Sequence, residues 1–158
     1  MFAVKGTEDR FDLSHMDTSS LLSSWSKHSI NLDDCDWPSV EHYVQAMKYD
    51  NPVIKEKICT AEHPRAAKKF AEAWWRKKKA NWKTEREVFM KRGMYTKCKT
   101  YPEVAKALLE TGEKAILDTS NFDYYWGCGR DIRGENRFGK ILMDIRTKLL
   151  EEDKASSA

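Results

Sequence analysis

Long apolar runs are missing from this sequence of 158 residues. No stretch reaches the roughly 18 apolar residues that a membrane-spanning helix requires, which excludes membrane-spanning proteins. The N-terminal segment MFAVKGTEDRFDL has no apolar core of the kind found in secretory signal peptides. We therefore expect a cytoplasmic protein that does not contact a membrane.

Metal-binding patterns are also missing. The four cysteines form no CxxC pair, and the four histidines lack the spacing of zinc ligands. We expect reduced thiols, as in cytoplasmic proteins, and neither a metal nor another cofactor. These residues are Cys35, Cys59, Cys98 and Cys128 together with His15, His28, His42 and His63.

Internal repeats and linkers are absent, so we expect a single domain over residues 1–152, followed by a frayed polar tail at 153–158. Apolar periodicity and helix-start residues predict a mostly helical α+β domain with a small β-sheet. Residues 12–36 are expected to form loops with one or two short strands. The predicted helices are 39–49, 52–61, 64–79, 83–97, 102–110 and 137–151, and the predicted strand is 114–120.

The segment WPSVEHYVQAMKY places two faces of the first helix side by side. Its apolar residues follow the helical repeat and predict a buried stripe. Glu41, Gln45 and Lys48 form a polar column on the shoulder of that stripe. The column is either a surface ladder worth about a few tenths of a kcal/mol or a face turned toward a ligand. His42 lies outside the column, and we expect it to be structural.

The segment NFDYYWGCGRDIRGENRFG contains four glycines within residues 121–139. Asp123 precedes Trp126 by three residues, and Gly127 and Gly129 permit close approach of the backbone to a ligand. The alternatives are a flexible connector, a turn built by Asn and Gly, or a packed loop that lines a pocket. Four aromatic residues at 122 and 124–126 favour the packed loop, because exposing all four rings would lose the favourable free energy of burying them.

The end of this segment leads into the last predicted helix. Gly134, Asn136 and Gly139 flank the start of that helix. Free N–H groups at a helix N-terminus attract anions. We therefore expect an anion to bind there.

Residues 65–92 carry eleven Lys or Arg and only three Asp or Glu. Such an excess either forms a solvated helix surface or attracts phosphates. Trp74, Trp75 and Trp82 lie within this segment and can stack on bases. Nucleic acid is therefore a possible partner of residues 65–92.

Two long motifs, WPSVEHYVQAMKY and DYYWGCGRDIRGENRFGKILMDIR, resemble the YbiA-like, or NADAR, family. Three further segments between or overlapping them are similar to the family: HPRAAKKFA, NWKTEREVFMKRGMYTKC and LLETGEKAILDTSNFDYYWG. The resemblance covers about residues 20–150 and implies a YbiA-like fold. The chain departs from the family pattern at LLSSWS, with Ser24 and Trp25, at Cys35, and at the paired tryptophans 74 and 75. These departures concern the substrate more than the type of reaction.

The resemblance implies an N-glycosidase. Family members act on ribosylated nucleobases, including phosphorylated ribosylaminopyrimidine intermediates of riboflavin synthesis. Some members remove ADP-ribose from guanine, so an ADP-ribosyl hydrolase acting on nucleic acid or NAD is an alternative. A nucleotide-binding module without catalysis is a third interpretation. The base that is cleaved and the oligomeric state stay open.

The resemblance also implies pocket residues: Glu41, Lys48, Asp123, Trp126 and Asn136, with Trp82 nearby. Cleavage of a ribose–nitrogen bond develops positive charge on the sugar, which a fixed carboxylate stabilises. We assign Glu41 as general base or cation stabiliser and Asp123 as sugar holder or second acid, and the two roles are interchangeable.

The remaining predicted contacts are to the base, the sugar and the phosphate. Trp126 is expected to stack on the base, and Asn136 to bind a hydroxyl. Lys48 and either Arg65 or Arg137 are expected to hold phosphate. Gly127 completes the predicted substrate-binding set.

Overall fold

A computed structural model of the protein describes residues 9–73 and 77–157. Its elements follow the chain order β1, β2, β3, α1, α2, α3, α4, α5, β4 and α6. The strands are β1 (Arg10–Leu13), β2 (Ile30–Leu32), β3 (Cys35–Trp37) and β4 (Ala115–Asp118). The helices are α1 (Val40–Ala46), α2 (Pro52–Cys59), α3 (Pro64–Ala71), α4 (Trp82–Thr100), α5 (Pro102–Glu110) and α6 (Arg137–Ser157). The predicted α+β class is confirmed.

Two small sheets form within the described residues. Strands β1 and β4 pair in parallel, with Leu13 opposite Asp118. Strands β2 and β3 form an antiparallel hairpin, in which Ile30 lies opposite Trp37. Because β1 and β4 run in the same direction, the residues that follow them meet at one edge of their sheet.

Helix α1 lies at the centre of the fold, and all of its residues are buried. It packs against α2, α3 and α4. Ser39 caps it by accepting a hydrogen bond from the N–H group of His42. Gly93 allows α4 to cross α1 closely, since a Cβ atom at Gly93 would lie 2.8 Å from Cγ1 of Val40. The buried core therefore forms around both sides of α1.

Local helix signals placed most elements correctly. Asn51 caps α2 through its side chain and Pro52 begins that helix, as predicted. The strand at 114–120 and the helix at 102–110 are confirmed as β4 and α5. Helix α4 extends to Thr100, beyond its predicted end at 97.

The largest differences from the predicted helices are at two helix ends, whereas α1 and α2 end two or three residues earlier than predicted. The helix predicted over 64–79 ends at Ala71, and residues 77–79 are not helical. There the N–H group of Lys79 donates to the carbonyl of Lys48, which ties this segment to the end of α1. The last helix continues past 151 to Ser157, because Glu, Asp, Lys and Ala in that segment do not interrupt a helix. Among the described residues, no helix is long and apolar enough to cross a membrane.

Candidate functional site

A polar cavity of about 220 Å³ lies beside α1. Larger grooves elsewhere on the molecule have mainly apolar walls. The residues around the polar cavity come from separate segments between residues 15 and 126. They are His15, Glu41, Val44, Gln45, Lys48, Lys68, Glu72, Trp82, Arg86, Asp123, Tyr125 and Trp126.

Glu41 lies in the first turn of α1 and is only 4% exposed. The Ser24 hydroxyl donates to its Oε2 atom at 3.2 Å, and the Gln45 amide donates to its Oε1 atom at 2.6 Å. The polar column predicted on α1 is therefore buried and faces the cavity. The alternative of a solvent-exposed ladder is wrong, because neighbouring loops cover this side of the helix.

Gln45 presents an acceptor that has no partner. Its side chain is 5% exposed, and its Oε1 atom has no hydrogen bond. The orientation of this amide follows from Glu41, because a carboxylate accepts and the NH₂ end of Gln45 must face it. A buried carbonyl oxygen without a partner is costly, so a ligand donor at this wall of the cavity would be stabilising.

Asp123 comes to the same cavity from the loop that follows β4. Its Oδ1 atom accepts hydrogen bonds from the N–H groups of Tyr125, Trp126 and Gly127. These bonds fix the carboxylate and leave its Oδ2 atom for other contacts. The two predicted carboxylates thus line one cavity, although they are far apart in the sequence.

The loop is folded back against the start of α6. The N–H groups of residues 136, 137 and 138 donate to the carbonyls of residues 127, 125 and 126, respectively. The loop is packed in this region, as predicted, and Trp126 lines the cavity. However, Phe122 is 93% exposed, so its ring does not contribute to the packing. The prediction of free amides for an anion at this helix end is wrong, because the loop carbonyls already occupy them.

His15 is a cavity residue that the sequence did not reveal. It follows β1, and its Nδ1 atom lies 2.5 Å from Oδ2 of Asp118 at the end of β4. Its Nε2 atom lies 3.6 Å from Oδ2 of Asp123. Pairing of residues 10–13 with the predicted strand 114–120 would have placed His15 beside Asp118, but short strands carry too little pattern for that assignment.

The charges around His15 and Asp118 shift both pKa values. Burial lowers the pKa of His15, but the hydrogen bond and charge of Asp118, together with Glu41 and Asp123, outweigh burial and raise it. Burial raises the pKa of Asp118, but hydrogen bonds from His15 and Ser120 and the charge of His15 lower it overall. The pair therefore favours an imidazolium beside a carboxylate.

Three cations also line the cavity: Lys48, Lys68 and Arg86. The Nζ atom of Lys48 lies 5.8 Å from the centre of the Trp82 ring. Burial and the charge of Lys78 lower the pKa of Lys48 to about 8, against the opposing effect of Glu41. Lys68 and Arg86 belong to the basic segment 65–92, whereas Trp74 and Trp75 lie outside the described residues.

Four predicted contact residues do not line this cavity. The guanidinium of Arg65 packs 5.4 Å from the Trp25 ring, and that of Arg137 pairs with Glu135 and Glu87. These residues are held by partners within the protein. We therefore do not propose phosphate contacts for Arg65 or Arg137.

Asn136 and Gly127 support the site from behind. The side chain of Asn136 accepts from the N–H group of Asp118 and donates to the carbonyl of Ile116. Gly127 donates its N–H group to Asp123 and accepts from Asn136. Their contacts position β4 and the loop, and we do not propose a substrate contact for either. Among the described residues, no cluster of three or more metal-ligating side chains has the arrangement of a metal site.

Comparison with solved structures places this architecture in a known class. The NMR structure of the Escherichia coli protein YbiA superposes with a TM-score of 0.83 and 28% identity, covering 92% of this chain and 88% of YbiA. The fold is therefore that of the YbiA class. The family model described as the NADAR domain matches residues 1–150, and the chain belongs to the NADAR family.

Relatives over most of the chain carry enzyme names. An N-glycosidase of Nostoc punctiforme, Npun_R5314, is 31% identical over 131 residues, which are 81% of this chain and 84% of the relative. The N-glycosidase YbiA of Escherichia coli is 29% identical, covering 83% and 82%. The chloroplastic riboflavin biosynthesis protein PYRR of Zea mays is 33% identical over 86% of this chain, but only 24% of PYRR is matched. The predictions of a NADAR family member and of an N-glycosidase are confirmed.

Proposed function

We propose that the protein hydrolyses the ribose–nitrogen bond of a phosphorylated, ribosylated nucleobase, such as an early ribosylaminopyrimidine intermediate of riboflavin synthesis. The observation that carries this proposal is the convergence of Glu41 and Asp123 on one cavity that also contains indole rings and cations. The name of the Zea mays relative supports the choice of pathway.

Glu41 acts as general base or as stabiliser of the developing sugar cation. Hydrogen bonds from Ser24 and Gln45 fix both of its oxygens, so its position does not change when charge develops. Preorganised charge of this kind is usually the largest contribution to catalysis. Asp123 is fixed through Oδ1 and directs Oδ2 toward the ribose, where it holds a hydroxyl or shares the stabilisation of positive charge.

The other walls recognise the remaining parts of the substrate. Trp126 stacks on the base, a contact worth about 1–3 kcal/mol. The phosphate is held by Lys48, Lys68 and Arg86. Lys68 and Arg86 take the role that was predicted for Arg65 or Arg137. The unpaired carbonyl of Gln45 accepts a hydrogen bond from a hydroxyl or amino group of the substrate.

The size of the cavity favours a mononucleotide over an ADP-ribosyl group. Its volume of about 220 Å³ lies below the roughly 300–1,000 Å³ that is typical of sites for larger ligands. ADP-ribose carries a second ribose, a second phosphate and an adenine, which would have to lie outside. The basic segment 65–92 contributes Lys68 and Arg86 to the cavity. A longer substrate that extended along this segment is the arrangement that would favour the ADP-ribosyl alternative.

A single panel of substrates tests the proposal. The protein is incubated with a ribosylaminopyrimidine 5′-phosphate, with NAD and with an oligonucleotide carrying ADP-ribosylated guanine, and released base is measured by mass spectrometry. We expect release from the first substrate and a loss of that release in Glu41→Gln. Release from the oligonucleotide alone, with an affinity that falls steeply with salt, would instead favour the ADP-ribosyl hydrolase.

A further inference from the structure

His15 is the buried titratable group of the cavity that the proposed roles of Glu41 and Asp123 leave unused. It is 3% exposed and lines the cavity together with both carboxylates. Its Nδ1 atom is held by Asp118, which does not line the cavity. Its Nε2 atom lies on the side of Asp123, within the cavity wall.

We propose that His15 is the general acid of the reaction and donates its Nε2 proton to the departing nitrogen of the nucleobase, with Asp118 as the residue that positions the imidazole. This inference rests on the proposed function. It assigns the proton donor that hydrolysis of a ribose–nitrogen bond requires, since an unprotonated amine nitrogen is a poor leaving group.

The carboxylates are less suited to this donation. Glu41 accepts hydrogen bonds at both of its oxygens, and Asp123 accepts three backbone bonds at Oδ1. Both groups are thus arranged as acceptors. His15 has its Nδ1 atom fixed by the carboxylate of Asp118, and its Nε2 atom, 3.6 Å from Oδ2 of Asp123, is the one that can donate toward a ligand in the cavity.

The groups that face His15 come from four parts of the fold. Asp118 and Ser120 contact it from the end of β4, and Asp123 approaches from the following loop. Glu41 acts on it from α1, and the Phe138 ring of α6 lies 5.6 Å from the imidazole ring. Burial lowers the pKa of His15, and the carboxylates raise it by more. The proton therefore stays on the imidazole to a higher pH than on an ordinary histidine.

The proposed step balances without a cofactor. The bond between C1′ and the base nitrogen breaks, and its electron pair stays on nitrogen, which takes the proton from His15. A water oxygen attacks C1′ and passes a proton to Glu41. The products are a ribose 5-phosphate and a neutral amino base. Solvent then returns a proton to His15 and removes one from Glu41.

The test compares two leaving groups in His15→Gln. One substrate is a ribosylaminopyrimidine 5′-phosphate, which needs a proton on its leaving nitrogen. The other is 4-nitrophenyl riboside 5-phosphate, whose leaving group departs as a stable anion. We expect kcat on the first substrate to fall by roughly 10²–10⁴-fold and kcat on the second to change by less than about threefold.

The pH profile supplies a second variant and a second readout. In the wild-type protein, kcat at saturating substrate should fall at high pH as His15 loses its proton. Asp118→Asn removes the carboxylate that raises the pKa of His15, so this fall should move to lower pH. His28→Gln, which lies outside the cavity, is the matched control and should leave kcat and its pH profile unchanged.

The outcomes separate this inference from the proposed function. Equal losses on both substrates in His15→Gln would show a structural role and overturn the inference. So would an unchanged kcat, or a pH profile that Asp118→Asn does not move. If the wild-type protein cleaves neither substrate, the proposed function fails, and the role of His15 fails with it.

Discussion

His15 and Asp118 are joined by a hydrogen bond of 2.5 Å, although they are 103 positions apart in the sequence. The bond forms because β1 and β4 run in parallel and end at the same edge of their sheet. Asn136 holds the same strand end from the other side through the N–H group of Asp118. One wall of the cavity thus depends on pairing between the first and the last strand of the described chain.

Glu41→Gln tests the central carboxylate. We expect kcat to fall by more than roughly 10²-fold, because the amide can neither accept a proton from water nor stabilise a cation to the same extent. Binding of ribose 5-phosphate, measured by calorimetry, should change little. Glu110→Gln on the exposed side of α5 is the control and should behave as wild type. Wild-type turnover in Glu41→Gln would show that the assigned role is wrong.

Asp123 should separate catalysis from loop structure. Asp123→Asn keeps an oxygen that accepts the backbone bonds of the loop and removes the charge, so activity should fall while urea unfolding changes little. Asp123→Ala also removes the acceptor for three N–H groups and should cost about 1–3 kcal/mol of unfolding free energy. Equal stability of the two variants would contradict this arrangement.

Lys48 should make phosphate binding depend on pH. Burial, the largest effect, lowers its pKa to about 8, so its positive charge is present below that pH and is lost above it. The affinity for ribose 5-phosphate should therefore decrease as pH rises through this value. Calorimetric titrations of the wild type and Lys48→Gln check this, with the exposed Lys140→Gln as control. A wild-type affinity with the same pH dependence as Lys48→Gln would argue against the contact.

The buried Lys97 should reduce the free energy of unfolding most at low pH. Its side chain is fully buried, and its Nζ atom donates to the carbonyl of Ser23 and the hydroxyl of Ser26. Burial lowers the pKa of Lys97 to about 7. The unfolded chain therefore binds more protons than the folded chain between that pH and the ordinary lysine value, and the unfolding free energy rises with pH in this window.

The matched variant for this effect is Lys97→Met. Urea unfolding of both proteins is measured from about pH 6 to about pH 9. The unfolding free energy of the wild type should rise relative to that of the variant by at most about 1.4 kcal/mol per pH unit. The difference between the two proteins cancels the titration of the other groups. A difference that stays constant across this range would show that Lys97 does not titrate there.

Gly93→Ala should destabilise the protein although alanine favours helices. The added Cβ atom would lie 2.8 Å from Cγ1 of Val40 and 3.3 Å from Cδ2 of Tyr43, and both neighbours are buried. The strain of about 1–3 kcal/mol exceeds the propensity gain of about 1 kcal/mol, so a net loss is expected in thermal or urea unfolding. Lys91→Ala, on the exposed side of the same helix, should show no such loss.

Sequence patterns correctly predicted the structural features that depend on residues close together in the chain, such as helix starts and helix faces. Ser39 and Asn51 mark helix starts because a cap bonds an N–H group two or three positions away. The helical repeat likewise placed Glu41 and Gln45 on one face. By contrast, the position of His15 depends on pairing between two strands that are far apart in the sequence. No local pattern contains that pairing. The predicted end of α3 at residue 79 was wrong, because a bond between Lys79 and Lys48 competes with its continuation.

The return of the loop onto residues 136–138 also bears on synthesis of the protein. Glu41 and the rest of α1 leave the ribosome early, but the carbonyls of residues 125–127 find their donors only once those later amides have emerged. A nascent chain thus carries Glu41 before the loop that holds Asp123 has been fixed in place. We therefore expect activity to appear only after α6 has left the ribosome and docked.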